Sequence, residues 1–181
     1  MRMRAELMDA GAIDRALMRI AHEIVERDAK AEEFLLIGIK RRGEPIAEQI
    51  AANLRRISAV PVLTSAIDIS LYRDDLRPVS ESPIVKHPTL AQNVVKDKVI
   101  ILVDDVIYTG RTARAAMDAL IAIARPAAIR LAILIDRGHR ELPIRPDFVG
   151  KNIPTSRRER VEVHFPPVDS EKNVVLSEAS Q

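Results

Sequence analysis

The sequence predicts an α/β fold in which helices flank a mostly parallel sheet. Short, continuous apolar runs are typical of parallel strands buried on both faces, and here they alternate with longer amphipathic segments. Polar turns that contain glycine directly follow three of these runs. The 181 residues, 47% of them hydrophobic and 30% charged, are enough for a soluble domain with a sizeable core. We therefore expect a single domain over 1–181.

The first part of the chain contains a helix and then a strand–turn–helix unit. Asp9 is a suitable N-cap for a helix that runs to about Asp28. Its apolar residues recur at helical spacing and form one stripe: Ile13, Leu17, Ile20 and Ile24. The run Phe34–Ile39 predicts a buried strand, the basic turn 40–43 follows it, and a helix is predicted over 44–57.

The middle of the chain contains the strongest strand signal and the least regular segment. A strand is predicted over 61–71, whereas 72–90 is polar, rich in proline and without a period. We predict a long mobile loop there, because compact domains keep such loops mainly for function. Strands are predicted over 98–103 and 129–135, with a helix over 112–124 between them. Three shorter strands complete the prediction: 148–149, 161–165 and 174–176.

The composition excludes several kinds of site. The chain has no cysteine, so disulfides, thiolate metal sites and a cysteine nucleophile are excluded. Its four histidines are scattered without the spacing of metal ligands. The longest apolar runs are about six residues, too short to span a bilayer, and we recognise no secretory signal. A protein of the reducing cytoplasm is expected.

The use of glycine points to the carboxyl ends of the predicted strands. The chain has only six glycines, and three of them lie in turns that follow strands: Gly43, Gly110 and Gly138. Glycine allows positive φ and close backbone approach, and α/β sheets bind ligands beyond the carboxyl ends of their strands. A ligand site is therefore expected where the turns 40–43, 104–112 and 136–139 meet.

The segment 104–112 combines two acids with a small, hydroxyl-rich turn. The carboxylates of Asp104 and Asp105 can accept hydrogen bonds from paired ribose hydroxyls. The turn 109–112 enters a helix N-terminus, where backbone N–H groups and the helix dipole favour a phosphate. An ordinary N-capping turn with two solvated acids is the alternative. We favour the ligand site, because apolar strand residues and both acids directly precede the turn.

The segment 99–112 (VIILVDDVIYTGRT) resembles the motif with which type I phosphoribosyltransferases bind phosphoribosyl pyrophosphate (PRPP). Five further stretches resemble the PyrR family, bacterial pyrimidine-operon attenuation regulators that are also uracil phosphoribosyltransferases: GIKRRG, DISLYRDD, RTARAAMDAL, DRGHRELPI and DFVGKNIPTS. The resemblance extends over about 8–175. It implies a type I phosphoribosyltransferase fold with a small hood, expected between His139 and Gly150. It also implies that uracil and PRPP react to UMP and pyrophosphate with Mg²⁺.

The resemblance also assigns roles to individual residues. Catalytic roles fall on the two acids, on one arginine of the third turn and on two residues of the long loop: Asp104, Asp105, Arg137, Tyr72 and Arg73. Binding of PRPP or nucleotide falls on the basic turn and on the motif: Lys40, Arg41, Arg42, Val106, Ile107, Tyr108, Thr109, Gly110, Arg111 and Thr112. No direct protein ligand is implied for Mg²⁺, which is expected to arrive with PRPP.

Tyr108 marks a departure from the purine enzymes of this fold, which usually carry an acid there as the proton acceptor. A tyrosine has an unperturbed pKa of about 10 and is a poor acceptor near neutral pH. This argues against hypoxanthine or guanine as the substrate. The group that takes the proton of uracil is left unassigned.

The same resemblance implies binding of pyrimidine-operon leader mRNA, promoted by UMP and UTP. From Arg137 to Arg160 the chain has seven basic and three acidic residues, a balance that a solvated surface would also explain. The candidate contacts come from the first helix and from this stretch: Arg19, His22, Arg27, Arg145, Lys151, Thr155, Ser156, Arg157 and Arg158. A homo-oligomer is expected, because two copies of a basic face make a better RNA platform.

Three functions are open on the sequence. The first is a regulator of pyrimidine biosynthesis that is also a uracil phosphoribosyltransferase. The second is an RNA-binding regulator whose PRPP site only senses nucleotides, and the third is a salvage enzyme without RNA binding. The intact acids and basic turn weigh against the second, and the basic stretch 145–158 weighs against the third. We therefore expect a protein with both activities.

Overall fold

A five-stranded parallel sheet is the central element of the computed structural model, which describes residues 2–69 and 90–178. In chain order the strands and helices are β1 (Arg2–Met8), α1 (Ala10–Arg27), β2 (Phe34–Ile39), α2 (Gly43–Ile57), β3 (Val62–Ile67), α3 (Gln92–Val95), β4 (Val99–Ile107), α4 (Arg111–Ile123), β5 (Ala128–Asp136), β6 (Phe148–Asn152), β7 (Glu159–His164) and β8 (Asn173–Glu178). The order of the sheet is β3-β2-β4-β5-β6, and every neighbouring pair is parallel. The predicted parallel sheet is confirmed.

Helix α1 forms where the sequence places its cap and its apolar stripe. The Asp9 side chain accepts a hydrogen bond from the Ala12 N–H at 2.7 Å, which satisfies one of the donors of the first turn. All four residues of the apolar stripe are fully buried. Burial of each such side chain stabilises the fold by roughly 1.5–3 kcal/mol, so this stripe holds the helix against the sheet.

The sheet has a hydrophobic layer on each face. Side chains alternate along a strand, so Leu36 of β2 packs in the layer under α1 and α2. Its neighbours Leu35 and Ile37 pack in the other layer, which α4 covers. β4 divides in the same way, with Val103 on the first side and Leu102 on the second. Helices therefore flank both faces, as predicted.

Strand β4 runs to Ile107, whereas the sequence predicted its end at Val103. Its pairing with β5 continues to the last residues, where Val106 lies opposite Ile135 and Ile107 opposite Asp136. Two acids in a row lower the expected strand propensity, but the neighbouring strand overrides it. The sheet therefore holds both acids of the motif within a strand.

A second, antiparallel sheet was not predicted. Its order is β1-β8-β7, so it joins the two ends of the chain, with Arg2 opposite Glu178 and His164 opposite Asn173. The alternation of polar and apolar residues over 2–8 is compatible with a half-exposed strand. Its partner strand lies at the other end of the chain, however, and no local pattern indicates such a pairing.

The segment expected to form a hood lies beside the main sheet and partly in it. Residues 139–147 form neither helix nor strand, and Gly150 belongs to β6, the edge strand of the parallel sheet. The assignment of a hood that covers the base stays a prediction. The predicted mobile loop 72–90 lies outside the described residues, apart from Leu90.

Gly43 allows helix α2 to start directly against β4. A Cβ atom at this position would lie 2.4 Å from the Val103 carbonyl oxygen and 3.2 Å from the Asp104 Cα. Both are backbone atoms and cannot swing away, so the close approach requires glycine. This contact brings the basic turn 40–42 next to the acids of β4.

We expect Gly43→Ala to lower the free energy of unfolding by about 1–3 kcal/mol, because the added methyl group overpacks a backbone contact. Urea unfolding followed by circular dichroism measures the change. The matched control is Gly11→Ala, since Gly11 is exposed in α1 and an added Cβ would first meet the end of the Arg15 side chain. There we expect a gain of up to about 1 kcal/mol, because alanine favours the helix. Equal effects of the two substitutions would contradict this account of Gly43.

Candidate active site

Three turns meet at the carboxyl edge of the parallel sheet. β2, β4 and β5 are neighbours and run in the same direction, so the residues after Ile39, Ile107 and Asp136 leave the sheet side by side. The Arg137 N–H donates to the Ile107 carbonyl oxygen at 3.1 Å, which ties two of these turns together. The three turns that were expected to share a ligand site are therefore adjacent.

The backbone of β4 orients the carboxylates of Asp104 and Asp105. Asp104 accepts a hydrogen bond from the Asp105 N–H at 2.9 Å, and Asp105 accepts one from the Val106 N–H at 2.7 Å. Burial raises the pKa of Asp105, although the Val106 N–H and the charge of Arg42 oppose the shift. The strand backbone thus restricts the orientation of both carboxylates.

The turn 109–112 has the geometry of an anion site at a helix N-terminus. Gly110 has a φ of 92°, which side chains of L-residues rarely allow, and α4 begins with the next residue. The N-cap position is this glycine, so it carries no side chain that could cap the first turn. Backbone N–H groups and the helix dipole therefore favour a phosphate at this turn.

The basic turn 40–42 contains two exposed cations and one that is paired. Lys40 and Arg41 are exposed, and the peptide bond between them is cis. Arg42 donates from Nε and Nη2 to the two carboxylate oxygens of Asp169, both at 2.8 Å. This bidentate pair raises the pKa of Arg42 and lowers the pKa of Asp169 to about 2. Sequence reasoning missed Asp169, which lies 127 residues from its partner.

Arg140 joins the turn after β4 to the turn after β5, and the sequence analysis gave it no role. Its guanidinium donates to the Asp136 carboxylate at 2.6 Å and to the carbonyl oxygens of Tyr108, Gly138 and Ile144 at 2.9, 3.2 and 2.8 Å. One mostly buried side chain thus connects four acceptors. The sequence signal is an acid and an arginine four residues apart, which is informative in helices but not in turns.

Arg137, for which the sequence analysis expected a catalytic role, is buried. Its guanidinium lies 4.4 Å from the centre of the Tyr108 ring, and the residue is only 8% exposed. It donates to Thr155 Oγ1 at 3.2 Å and to the Glu159 carbonyl oxygen at 2.6 Å. Burial lowers the pKa of Arg137. These contacts hold Tyr108 and the segment before β7 in place, while a catalytic role for Arg137 stays a prediction.

Thr155 does not lie on the basic surface for which it was predicted. Burial alternates over 153–156, and Thr155 falls on the buried side with 8% exposure. Its hydroxyl accepts the hydrogen bond from Arg137, and its carbonyl oxygen contacts His139 Nε2. The structure thus shows Thr155 supporting the site, and its role as an RNA contact stays a prediction.

The other predicted RNA contacts lie on α1, on the edge strand β6 and in the segments directly before and after β6. α1 packs beside the edge strand β6, where Arg19 donates to the carbonyl oxygens of Val149 and Gly150 at 3.0 and 2.6 Å. Arg27 pairs with Asp147 at 2.8 Å. The remaining candidates are exposed: His22, Arg145, Lys151, Ser156, Arg157 and Arg158. We call these eight residues, with Arg19 and Arg27 included, the basic edge.

Tyr72 and Arg73 lie outside the described residues, so their place at the site stays a prediction.

Over residues 2–69 and 90–178, no group of three or more histidine, aspartate or glutamate side chains is arranged to hold a metal ion. No helix in the same part of the chain is long and apolar enough to cross a membrane.

Known proteins resemble the chain over nearly its whole length. Residues 3–166 match the phosphoribosyl transferase domain family. The "Bifunctional protein PyrR" of Thermoanaerobacter sp. (strain X514) is 57% identical over 178 residues, which cover 98% of this chain and 99% of that protein. The protein of the same name from Clostridioides difficile (strain 630) is 53% identical over 175 residues, which cover 97% of this chain and 98% of that protein.

Solved structures of similar fold include purine enzymes. A hypoxanthine-guanine phosphoribosyltransferase from Bacillus anthracis has a TM-score of 0.68 at 21% identity, over 99% of this chain and 100% of its own. The hypoxanthine phosphoribosyltransferase of Trypanosoma cruzi has a TM-score of 0.72 at 18% identity, over 98% of each chain. At these identities the similarity establishes the fold, which is the predicted type I phosphoribosyltransferase fold, and leaves the base open.

The Arg42–Asp169 pair should make part of the stability depend on pH in the acid range. The pKa of Asp169 falls from its ordinary 3.8 to about 2 on folding. The stabilisation is therefore fully present above about pH 4 and is lost as the pH falls towards 2. Asp169→Asn should lower the free energy of unfolding at neutral pH by about 1 kcal/mol, because solvent screens the partly exposed guanidinium.

Urea unfolding of both proteins at about pH 7 and about pH 3 measures this contribution. The difference between wild type and Asp169→Asn should shrink at the lower pH. A difference that is the same at both values would contradict the depressed pKa of Asp169.

Proposed function

Since the chain belongs to the PyrR proteins of the phosphoribosyl transferase domain family, we propose that it converts uracil and PRPP to UMP and pyrophosphate. It also binds the leader mRNA of a pyrimidine operon and responds there to uridine nucleotides. One observation carries the enzymatic half. Asp104 and Asp105, the turn 109–112 and the basic turn 40–42 lie together at one edge of the sheet.

The reaction breaks the bond from C1′ to a pyrophosphate oxygen and forms a bond from C1′ to a uracil nitrogen, which loses its proton. Positive charge develops on the ribose ring and negative charge on the leaving pyrophosphate. Such a transition state is stabilised by acids near the ribose and by cations near the pyrophosphate. The carboxylates of Asp104 and Asp105 accept hydrogen bonds from the ribose hydroxyls. The turn 109–112 binds the 5′-phosphate, and the exposed Lys40 and Arg41 approach the pyrophosphate.

The donor set of the site fits Mg²⁺ as an ion that is carried by the substrate. The described residues offer no cluster of three possible ligands, but the Asp104 and Asp105 carboxylates lie together near the end of β4. Mg²⁺ commonly binds through one or two carboxylates and the phosphate oxygens of a substrate. When bound, it supplies charge neutralisation for the leaving pyrophosphate.

Tyr108 favours uracil over a purine as the accepting base. The Arg137 guanidinium lies 4.4 Å from the centre of its ring, and the His139 ring meets it in a T-shaped arrangement with the ring centres 5.7 Å apart. A neutral phenol is a poor proton acceptor compared with a carboxylate. The proton of uracil therefore passes to solvent or to the leaving pyrophosphate. Neither route requires an acid at position 108.

The basic edge is the proposed RNA surface. Lysine and arginine contribute contacts to phosphates, which fix the position of the RNA and make its affinity depend on salt. Two contacts connect this surface to the nucleotide site: His139 with the carbonyl of Thr155, and Arg140 with the carbonyl of Ile144, next to Arg145. Homo-oligomer formation and a cytoplasmic location belong to the same proposal and stay predictions.

We expect the double substitution Asp104→Asn and Asp105→Asn to reduce UMP formation at least about 100-fold, because the ribose loses both charged acceptors at the transition state. Turnover is measured with uracil and PRPP in the presence of Mg²⁺. Asp118→Asn, at an exposed position of α4, is the control and should retain wild-type turnover. The site assignment is wrong if the double variant turns over like wild type.

We expect Arg157→Ala to weaken binding of the protein's own pyrimidine-operon leader RNA and to leave uracil turnover unchanged. Loss of one phosphate contact should reduce the slope of log affinity against log salt by about 1. The control is Arg56→Ala, since Arg56 is exposed in the last turn of α2, away from the basic edge. Titrations with and without UMP, against a scrambled RNA, separate the three functions considered above. Equal RNA affinity of Arg157→Ala and wild type would exclude Arg157 from the RNA surface.

A further inference from the structure

Asp169 lies outside every segment that the proposed function uses, yet it holds a residue of the basic turn. We propose that Asp169 is a positioning residue for PRPP, which fixes the basic turn 40–42 on the pyrophosphate side of the site by holding Arg42. This inference rests on the proposed function, because it assumes that the turn meets pyrophosphate. It assigns to the C-terminal part of the chain a role in recognising one half of the substrate.

The Asp169 carboxylate is held by a hydrogen bond of its own turn in addition to its pair with Arg42. Its Oδ2 accepts a hydrogen bond from the Phe165 N–H at 2.8 Å, and the Asp169 N–H donates to the Phe165 carbonyl oxygen at 3.1 Å. The Phe165 ring is buried in the main hydrophobic core. Two hydrogen bonds therefore close the five-residue turn 165–169, and the buried Phe165 fixes the position of the carboxylate.

Arg42, at the end of the basic turn, donates two hydrogen bonds to this carboxylate. Both of its donors to Asp169 lie at 2.8 Å, the fork-to-fork geometry that restricts orientation as well as distance. The next residue is Gly43, whose backbone is pressed against β4. At the other end of the turn, the Lys40 N–H donates to the Ile67 carbonyl oxygen at 2.9 Å.

Both ends of the turn are thus fixed, and the two exposed cations lie between them. Lys40 and Arg41 can approach a ligand, whereas the guanidinium of Arg42 already binds a carboxylate in bidentate fashion. Arg42 was expected to bind PRPP or nucleotide itself. Its contacts indicate instead that it aligns the backbone and the two preceding side chains.

A purely structural role for Asp169 predicts a different pattern of binding. UMP has the ribose and the 5′-phosphate of PRPP but lacks the pyrophosphate. A general loss of order would weaken both ligands, whereas a displaced basic turn should weaken PRPP alone. The ratio of the two affinities therefore distinguishes positioning from stability.

The experiment is calorimetric titration of the folded full chain with PRPP and Mg²⁺, and separately with UMP. We expect Asp169→Asn to weaken PRPP about tenfold, since a bidentate ion pair that orders the turn is worth that much, and to change the UMP affinity by less than about twofold. The matched control is Asp28→Asn. Asp28 forms the same kind of bidentate pair with Arg130, at the opposite end of the sheet, and its loss should change neither affinity.

A second pair of variants tests whether Asp169 acts through Arg42. Arg42→Lys cannot form the bidentate pair, so adding Asp169→Asn to it should cause little further loss of PRPP affinity. If Asp169→Asn does not fold, Asp169→Glu takes its place. The longer side chain keeps the charge but shifts Arg42, and it should cause a smaller loss that is again specific to PRPP.

The outcomes separate this inference from the proposed function. Wild-type protein that binds neither PRPP nor UMP would overturn both. Wild-type binding of both ligands with no PRPP-specific loss in Asp169→Asn and Asp169→Glu would overturn the positioning role alone. The positioning role is also overturned if Asp28→Asn loses as much PRPP affinity as Asp169→Asn. It is overturned as well if the losses of PRPP affinity caused by Arg42→Lys and Asp169→Asn add in full in the double variant.

Discussion

The parallel pairing of β4 with β2 on one side and β5 on the other is the constraint on which the site depends. Because all three strands run in one direction, the turns that follow them leave the sheet at one edge. Two acids, a helix N-terminus and a basic turn are thereby collected from segments that are far apart in sequence. The pairing also continues past the acids, so their carboxylates are oriented by hydrogen-bonded strand backbone and not by a free loop.

The antiparallel sheet at the chain ends supports this edge from outside. Asp169, on the connection between β7 and β8, holds Arg42, and the Glu159 carbonyl at the start of β7 accepts a hydrogen bond from Arg137. The parallel strands therefore determine where the turns leave the sheet. The segments of the antiparallel sheet add hydrogen bonds to Arg42 and Arg137 in two of these turns. A site built in this way depends on residues that share no local sequence pattern with it.

The sequence predicted what periodicity and capping determine, and it missed what distant pairing determines. The α1 cap at Asp9, the mostly parallel sheet and the adjacency of three turns follow from local signals and were correct. Strand β1 and Asp169 depend on partners at the far end of the chain, which no window of neighbouring residues contains. The burial of Thr155 was not anticipated, because charge and hydroxyl content do not indicate on which side of an extended segment a residue falls.

Arg19 covers carbonyl groups of the edge strand β6, and this has a consequence for how the surface can change. An uncovered strand edge is a template on which another chain can add a strand, and natural sheets protect such edges with charged side chains. The guanidinium for which we propose an RNA contact thus also shields the strand backbone against edge-to-edge aggregation. Replacing Arg19 by a short side chain would therefore uncover the carbonyl groups of Val149 and Gly150, whether or not the protein is bound to RNA.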